Sequence, residues 1–277
     1  MRVYTMSKNI VFIVDLEETY HQGIIETKKR NRRLPFQHGI NTWKHWTKKN
    51  NVELFILTQR VHDELYMNAN WHKTYVFDLL EANKIDYDQI LIADADTCIH
   101  PNAPNMFELT DRKFCVVQNY GNYDWVDRSI TTYQKEFFTD IDIPLSEYFN
   151  SGVVILNKDH KSLYETALEF YHENQERLVH LQNRVQVGTD QPVMNFLVKQ
   201  ENIDVKFLPF EWNSQSLKSF GFLLANATNI KNSKSLAIHK HHANKMWIFH
   251  FNGMIDQERE TYMKMLYQYY EREYYEN

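Results

Sequence analysis

The sequence predicts an α/β fold, with a mixed, mostly parallel sheet flanked by helices, and two observations lead to that prediction. Short apolar runs alternate along the 277-residue chain with longer stretches of helical period, and this alternation is typical of a sheet covered by helices. No segment rich in Pro, Gly or Ser divides the chain. A single domain over residues 1–277 is therefore expected.

Seven short apolar runs, bounded by polar or turn residues, predict the strands. They are Ile10–Val14, Leu54–Leu57, Ile90–Ala93, Phe114–Val117, Val153–Leu156, Val205–Leu208 and Trp247–Phe251. Apolar residues recur at helical spacing over Asp63–Asn83 and Ser162–Leu181, and a last helix is expected from about residue 254. The aromatic and acidic segment 120–148 lacks a clean period and predicts a long excursion that covers a site.

Charge and motif content exclude several classes of function. A formal net charge of −5, with both signs interspersed, is not a polyanion-binding composition, so no nucleic-acid partner is expected. The seven glycines form neither G-x-G-x-x-G nor a Walker pattern, which argues against a dinucleotide-binding fold and a P-loop. Two cysteines are too few for a disulfide framework, and neither a signal peptide nor a transmembrane segment is evident. These features predict a soluble, cytoplasmic protein.

The most informative motif is Asp94-Ala95-Asp96, directly after the apolar run Ile90–Ala93. Ligand crevices in α/β sheets form where strands emerge into loops. Two carboxylates two residues apart on an extended segment project the same way, and a divalent cation relieves their repulsion. Two solvated loop aspartates are the alternative interpretation of the motif taken alone.

Further polar residues lie at predicted strand ends. Asp15 ends the first strand, and Asn150-Ser151-Gly152 precedes another, where Gly152 permits close backbone approach. His250 lies in an aromatic run and is either a hydrogen-bonded core residue or a metal ligand. A neutral imidazole complements two carboxylates around Mn²⁺, which accepts nitrogen more readily than Mg²⁺ does.

One more polar cluster lies at a predicted helix start. Thr189 or Asp190 can cap the helix that Pro192 opens. An ordinary helix cap with no catalytic role is the alternative to a functional interpretation of this segment.

In this order the clusters resemble the GT-A glycosyltransferases, especially the retaining enzymes of family eight, which are glycogenin- and galactosyltransferase-like, and of family thirty-four, which are xylosyl- and galactosyltransferase-like. The resemblance covers most of the chain. The matching pieces are the strand ending at Asp15, Trp71-His72-Lys73, Ala93–Thr97, Phe149–Gly152, Asp190-Gln191 and His250–Gly253.

The resemblance implies a GT-A fold and an enzyme that moves a sugar from a nucleoside diphosphate sugar, with a UDP-sugar favoured, to a glycan or other hydroxyl acceptor. Retention of the anomeric configuration is implied, by a front-face route or through a covalent intermediate near Asp190 or Gln191. Mn²⁺ or Mg²⁺ is the implied cofactor. Its ligands would be Asp94, Asp96 and His250, with Asp94 also reaching the ribose of the donor.

The same resemblance assigns the other site residues. Asn150, Asp190 and Gln191 match positions that line the sugar and the reacting face. The donor would further contact Val14, Asp15, Tyr20 and Lys73. Met254-Ile255-Asp256 follows where relatives often continue into a phosphate-binding lysine, so phosphate contacts are expected from Lys245 or the basic run near Arg32.

Two other functions compete with sugar transfer. The stretch Phe12–Thr19 superficially resembles the nucleophile motif of haloacid-dehalogenase-type phosphohydrolases, with Asp15 as nucleophile. Glu17 and Glu18 stand where that motif has Asp and Gly. The third function is a non-catalytic sugar-binding module whose binding platform would be segment 120–148.

Overall fold

The computed structural model describes residues 8–16, 33–185, 187–215, 217, 243–254 and 256–275. The strands in these residues are β1 (Lys8–Val14), β2 (Glu53–Leu57), β3 (Tyr87–Asp94), β4 (Thr97–Ile99), β5 (Phe114–Gln118), β6 (Phe149–Asn157), β7 (Val205–Phe207) and β8 (Ile248–His250). The α-helices are α1 (Arg33–Asn50), α2 (Val76–Ala82), α3 (Tyr123–Phe137), α4 (Lys161–His180), α5 (Asp190–Gln200) and α6 (Asp256–Tyr270). None of these described helices is long and apolar enough to cross a membrane.

Six strands form the central sheet in the order β2-β1-β3-β6-β5-β7. β1 runs parallel to β2 and β3, and β5 runs parallel to β7, whereas β6 is antiparallel to both of its neighbours. The expected mixed, mostly parallel sheet is thus confirmed. The carboxyl ends of β1, β3 and β5 and the amino end of β6 consequently meet at one edge of the sheet.

Both faces of the sheet are buried, which is why its central strands are continuous apolar runs. Side chains alternate between the faces. Phe12 and Ile92 belong to one core, which is covered by α2, α3, α4 and α5, while Val11 and Leu91 belong to the other. Helix α1 covers the second core with two tryptophans. The sheet is therefore held rigidly beneath any site at its edge.

A second, two-stranded sheet joins distant parts of the sequence beside that edge. β4 pairs with β8 in antiparallel register, with Thr97 opposite His250. The sequence predicted β8 but no separate strand at Thr97–Ile99. The strand forms there because β8 supplies its hydrogen-bonding partner.

The helices differ from the sequence prediction in three places. Segment 120–148 contains α3, whose buried Val126, Ile130 and Tyr133 follow helical spacing. Over Asp63–Asn83 only a 3₁₀ turn and the short α2 form. Helix α1 was not predicted at all.

Candidate active site

A cleft of about 950 Å³ lies along the edge of the sheet where these strands end. It is lined by Val14 from β1, Asp94 from β3 and Ser151 from β6, and by Asn119 directly after β5. The topology requires this convergence, since β6 runs opposite to its neighbours and begins where they end. The crevice is at the expected place for an open α/β sheet.

Asp94, Asp96 and His250 come together in this cleft. Each offers one ligand atom, and the three atoms lie within 4.8 Å of one another. His250 Nε2 is 3.2 Å from Asp96 Oδ1 and 3.8 Å from Asp94 Oδ2. The β4–β8 pairing brings the histidine across from a position more than 150 residues later in the sequence. These three side chains could hold a metal ion.

A chain of hydrogen bonds determines which nitrogen of His250 faces the carboxylates. The amide N–H of Gly152 and Nδ2 of Asn213 both donate to Asn150 Oδ1, each at 2.9 Å. Asn213 Oδ1 is therefore left to accept, and it lies 3.0 Å from His250 Nδ1. Nδ1 consequently carries a proton, so the lone pair of the neutral imidazole is on Nε2 and faces Asp94 and Asp96.

The two aspartates of the cluster have opposite electrostatic environments. Burial raises the pKa of Asp94 and outweighs the opposing effects of Lys73 and His250. Burial would also raise the pKa of Asp96, but the positive charge of His250, when both of its nitrogens carry protons, and that of Arg259 hold it well below its usual range. Asp94 is thus the carboxylate whose charge the surrounding protein compensates least. A cation bound at the cluster would stabilise its ionised form.

Lys73 links this cluster to a third carboxylate. Its buried Nζ lies 2.9 Å from Asp190 Oδ2 and 3.3 Å from Asp94 Oδ1, and it donates to the Ser151 carbonyl at 3.0 Å. Burial would lower the pKa of Lys73, but the carboxylates of Asp190 and Asp94 outweigh it and raise the pKa above its usual value. The lysine is therefore a fixed positive charge in the floor of the cleft.

The predicted reacting-face residues lie side by side at the start of α5 and β6. Gln191 Oε1 accepts from Asn150 Nδ2 at 3.0 Å and from the Ser151 amide at 3.2 Å. Asp190 Oδ2 accepts from Ser151 Oγ at 2.9 Å. All three predicted residues line the cleft.

The start of α5 does not have the predicted cap. Among the described residues Thr189 is at the N-cap position without a side-chain cap hydrogen bond, and Pro192 is the third residue of the helix rather than the first. The Thr189 hydroxyl instead donates to Asp190 Oδ1 at 2.9 Å. In the part of the chain that the structure describes, neither Thr189 nor Asp190 makes the predicted cap hydrogen bond, because the Thr189 hydroxyl donates to Asp190 and the carboxylate of Asp190 is also engaged by Lys73 and Ser151.

Gly152 permits the close approach that the sequence predicted. A Cβ at this position would collide with the imidazole of His250 and would lie 2.7 Å from Asp94 Oδ2 and 3.0 Å from Asn150 Oδ1. The missing side chain leaves room for the three polar groups to converge.

Of the remaining residues predicted to contact the donor, only some line the cleft. Val14 lines the cleft, whereas Asp15 is buried outside its lining. Lys245 is exposed and also lies outside the lining. Tyr20 and Arg32 fall outside the described residues.

Sequence reasoning missed two residues at the site. Arg259 of α6 lines the cleft, with Nε 3.6 Å from Asp96 Oδ2, and donates to the carbonyls of Phe251 and Met254 at 3.1 and 2.9 Å. The available signal was a basic residue in the first turn of the last helix, shortly after His250. Asn213 lies between β7 and β8, and no sequence pattern marks it.

Two solved structures have a fold similar to that of this chain. A glycosyltransferase involved in glycosylation of the major capsid of PBCV-1 aligns with a TM-score of 0.55 and 10% identity, over 93% of this chain and 99% of that one. The galactosyltransferase LgtC, in complex with donor and acceptor sugar analogs, aligns with a TM-score of 0.51 and 13% identity, over 94% and 95% of the two chains. At these identities the likeness shows the fold, which is that of the GT-A glycosyltransferases.

The family follows from the sequence itself. Residues 8–255 match the model of glycosyl transferase family 8. This chain belongs to that family and is a glycosyltransferase, which confirms the resemblance to family eight. A search of curated proteins gave no match.

Proposed function

We propose that this glycosyltransferase moves a sugar from a nucleoside diphosphate sugar, with a UDP-sugar favoured, to a hydroxyl acceptor, with retention of configuration and dependence on Mn²⁺ or Mg²⁺. One observation carries the proposal. The two carboxylates of the Asp94-Ala95-Asp96 motif and Nε2 of His250 converge in the cleft at the strand ends.

The residues at the cluster fit a divalent cation. Two carboxylate oxygens and one imidazole nitrogen are a donor set that suits Mn²⁺. The hydrogen bond of His250 Nδ1 to Asn213 leaves Nε2 to coordinate, as the outer partners of metal-bound histidines do. When bound, such a cation would neutralise the diphosphate leaving group, a contribution of several kcal/mol to the transition state.

The chain's own residues have distinct roles in this proposal. Val14 lies at the β1 end of the cleft, where the nucleoside is expected, and Asn150 and Gln191 lie beside the donor sugar. Lys73 adds a fixed positive charge next to Asp94. Arg259 takes the place of the predicted phosphate-binding lysine, because it brings a guanidinium to the cleft on the Asp96 side.

The contacts of Asp190 favour a front-face route over a covalent intermediate on this residue. Its Oδ2 accepts from Ser151 and pairs with Lys73, and its Oδ1 accepts from Thr189. A carboxylate with both oxygens engaged by donors is a weak nucleophile. Asp190 then acts by fixing Lys73 and Ser151.

Membership of the family favours sugar transfer over the two competing functions. In the phosphohydrolase interpretation Asp15 would be the nucleophile, but it is buried outside the lining of the cleft. In the sugar-binding interpretation, segment 120–148 would bind sugar without the cluster of Asp94, Asp96 and His250. Residues of that segment and the three side chains of the cluster instead line the same cleft.

The test is a thermal-shift panel of UDP, GDP and CDP, each with and without Mn²⁺. A ligand at about 100 times its Kd adds roughly 2.7 kcal/mol, or about 5–10 °C for a chain of this size. We expect a shift for one nucleotide that requires Mn²⁺ and is lost in Asp96→Asn. The matched control is Asp88→Asn, which changes an exposed aspartate of the same strand β3. A shift that persists in Asp96→Asn, or no shift with any nucleotide, would contradict the proposal.

A further inference from the structure

The cleft has a direction, because the strands that end in it lie in a fixed order. Along the sheet edge come β1 with Val14, β3 with Asp94, β6 with Asn150 and β5, which is followed by Asn119. In the proposed function the nucleoside, the diphosphate and the donor sugar occupy the first three of these positions in turn. The β5 end therefore lies beyond the donor sugar, where an acceptor has to approach.

One face of α3 forms the wall of the cleft at this end. Asn122, Trp125 and Arg128 all line the cleft, and their spacing of three residues places them on one side of the helix. The helix start is fixed by Asn122 Oδ1, which accepts from the Trp125 amide at 3.3 Å. The wall is thus built on a capped helix.

The indole of Trp125 lies against Gly188, shortly before the proposed reacting-face residue Asp190 in the chain. Its ring is 3.2 Å from where a Cβ on Gly188 would stand, and Gly188 comes two residues before Asp190. The Gly188 carbonyl is itself held by the hydroxyl of Tyr133 at 2.6 Å. Trp125 is half-buried, so part of its ring remains accessible from the cleft.

We propose that this α3 wall is the acceptor subsite and that it binds an uncharged saccharide, with one sugar ring stacked on Trp125. Aromatic side chains supply large apolar contact area, and a sugar ring matches it with its C–H face while its hydroxyls bind polar neighbours. The amide of Asn122 is one such neighbour. The proposal rests on the proposed function, which sets where the donor sugar lies.

The charge at the subsite does not require an anionic ligand. Arg128 Nε lies 3.1 Å from Asp124 Oδ2 within the same helix, so part of its charge is already compensated. An acidic group at this wall would have to compete with that aspartate. A neutral, hydroxyl-rich ring does not.

The experiment measures binding of methyl β-D-glucopyranoside, methyl β-D-galactopyranoside, methyl α-D-mannopyranoside and methyl N-acetyl-β-D-glucosaminide by saturation-transfer difference NMR, with UDP and diamagnetic Mg²⁺ present. The protein variants are Trp125→Ala, Trp125→Phe and the control Tyr123→Ala. Tyr123 is exposed in the first turn of the same helix and lies outside the cleft lining. Binding of UDP with Mn²⁺ is measured separately for each protein.

We expect at least one glycoside to bind the wild type. Its affinity should fall by about tenfold in Trp125→Ala, while Trp125→Phe keeps most of it and Tyr123→Ala keeps all of it. Affinity for UDP should be unchanged throughout. Unchanged glycoside binding in Trp125→Ala, or binding of no glycoside by a wild type that binds UDP, would overturn the acceptor subsite. Loss of UDP affinity in Trp125→Ala would place the indole at the donor base instead, and a wild type that binds none of UDP, GDP and CDP would refute the proposed function itself.

Discussion

Asn213 makes two hydrogen bonds that together orient the proposed metal ligand His250, so its replacement by alanine tests how this site is built. The asparagine is fully buried. It accepts from His250 Nδ1 at 3.0 Å and donates to Asn150 Oδ1 at 2.9 Å. Alanine removes both contacts without touching the metal ligands.

The magnitude follows from what the substitution leaves behind. Asn150 Oδ1 keeps the Gly152 amide as a donor, but His250 Nδ1–H loses its acceptor. A buried donor without a partner costs about 1–3 kcal/mol. The imidazole relieves that cost by rotating or by exchanging its proton to Nε2, and either change removes the lone pair from the cluster. Loss of such an outer partner typically lowers metal affinity by about 10–100-fold.

Mn²⁺ titration by isothermal calorimetry, without nucleotide, measures this effect. We expect Asn213→Ala to lose about 10–100-fold in Mn²⁺ affinity. Asn213→Asp retains an acceptor for Nδ1–H and should lose less. The control is Asn83→Ala, which removes an exposed asparagine whose Nδ2 donates to the Leu79 carbonyl at the end of α2. If a folded Asn213→Ala binds Mn²⁺ as tightly as the wild type, then Asn213 does not position His250.

Two further predictions concern the groups around the same cluster. Gly152→Ala adds a Cβ that lies 2.7 Å from Asp94 Oδ2 and collides with the imidazole of His250. Mn²⁺ affinity, measured by the same titration, should therefore fall at least about tenfold. Wild-type affinity in this variant would show that the cluster is not where Mn²⁺ binds. Lys73→Met leaves the buried carboxylate of Asp190 without its cation. The free energy of unfolding, measured with urea, should therefore fall by about 3–5 kcal/mol, and adding Asp190→Asn should recover part of that loss. A loss below about 1 kcal/mol in the single variant would mean that water or another cation compensates Asp190.

The strands and the polar residues at the strand ends were predictable because each depends on a local pattern. A strand buried on both faces is a continuous apolar run, and a polar residue directly after it marks the strand end. Asp94 ends β3, Asp96 follows it, and His250 ends β8. Strand ends of one sheet meet at one edge, which places Asp94 in the cleft, whereas His250 reaches it through the pairing of β8 with β4 in the second sheet, which the sequence did not predict.

Helix α1 could not be predicted in the same way, because tertiary contacts stabilise it against its local sequence. It contains Pro35 and Gly39, both poor helix formers. Yet Trp43 and Trp46 are fully buried, and the Trp43 indole donates to Thr97 Oγ1 at 2.9 Å. Gly39 is needed where α1 crosses the start of β4, since a Cβ there would collide with the Thr97 carbonyl. The glycine that weakens the helix locally is what allows it to pack beside the site.

The charge balance of the cleft argues for the cation more strongly than any single motif does. Contacts run in one chain from Arg259 to Asp96, His250, Asp94, Lys73 and Asp190. This chain holds three carboxylates against two permanent cations, and His250 adds a lone pair rather than a charge when it is neutral. The negative charge without a matching cation lies at Asp94, between His250 and Lys73. Asp94 is also the carboxylate whose pKa is raised by burial. A diphosphate entering the cleft would add further negative charge, so the positive charges of Lys73 and Arg259 alone do not balance the ligand proposed for the site. A divalent cation held by Asp94, Asp96 and His250 would supply the missing charge at the point where the chain of contacts lacks it.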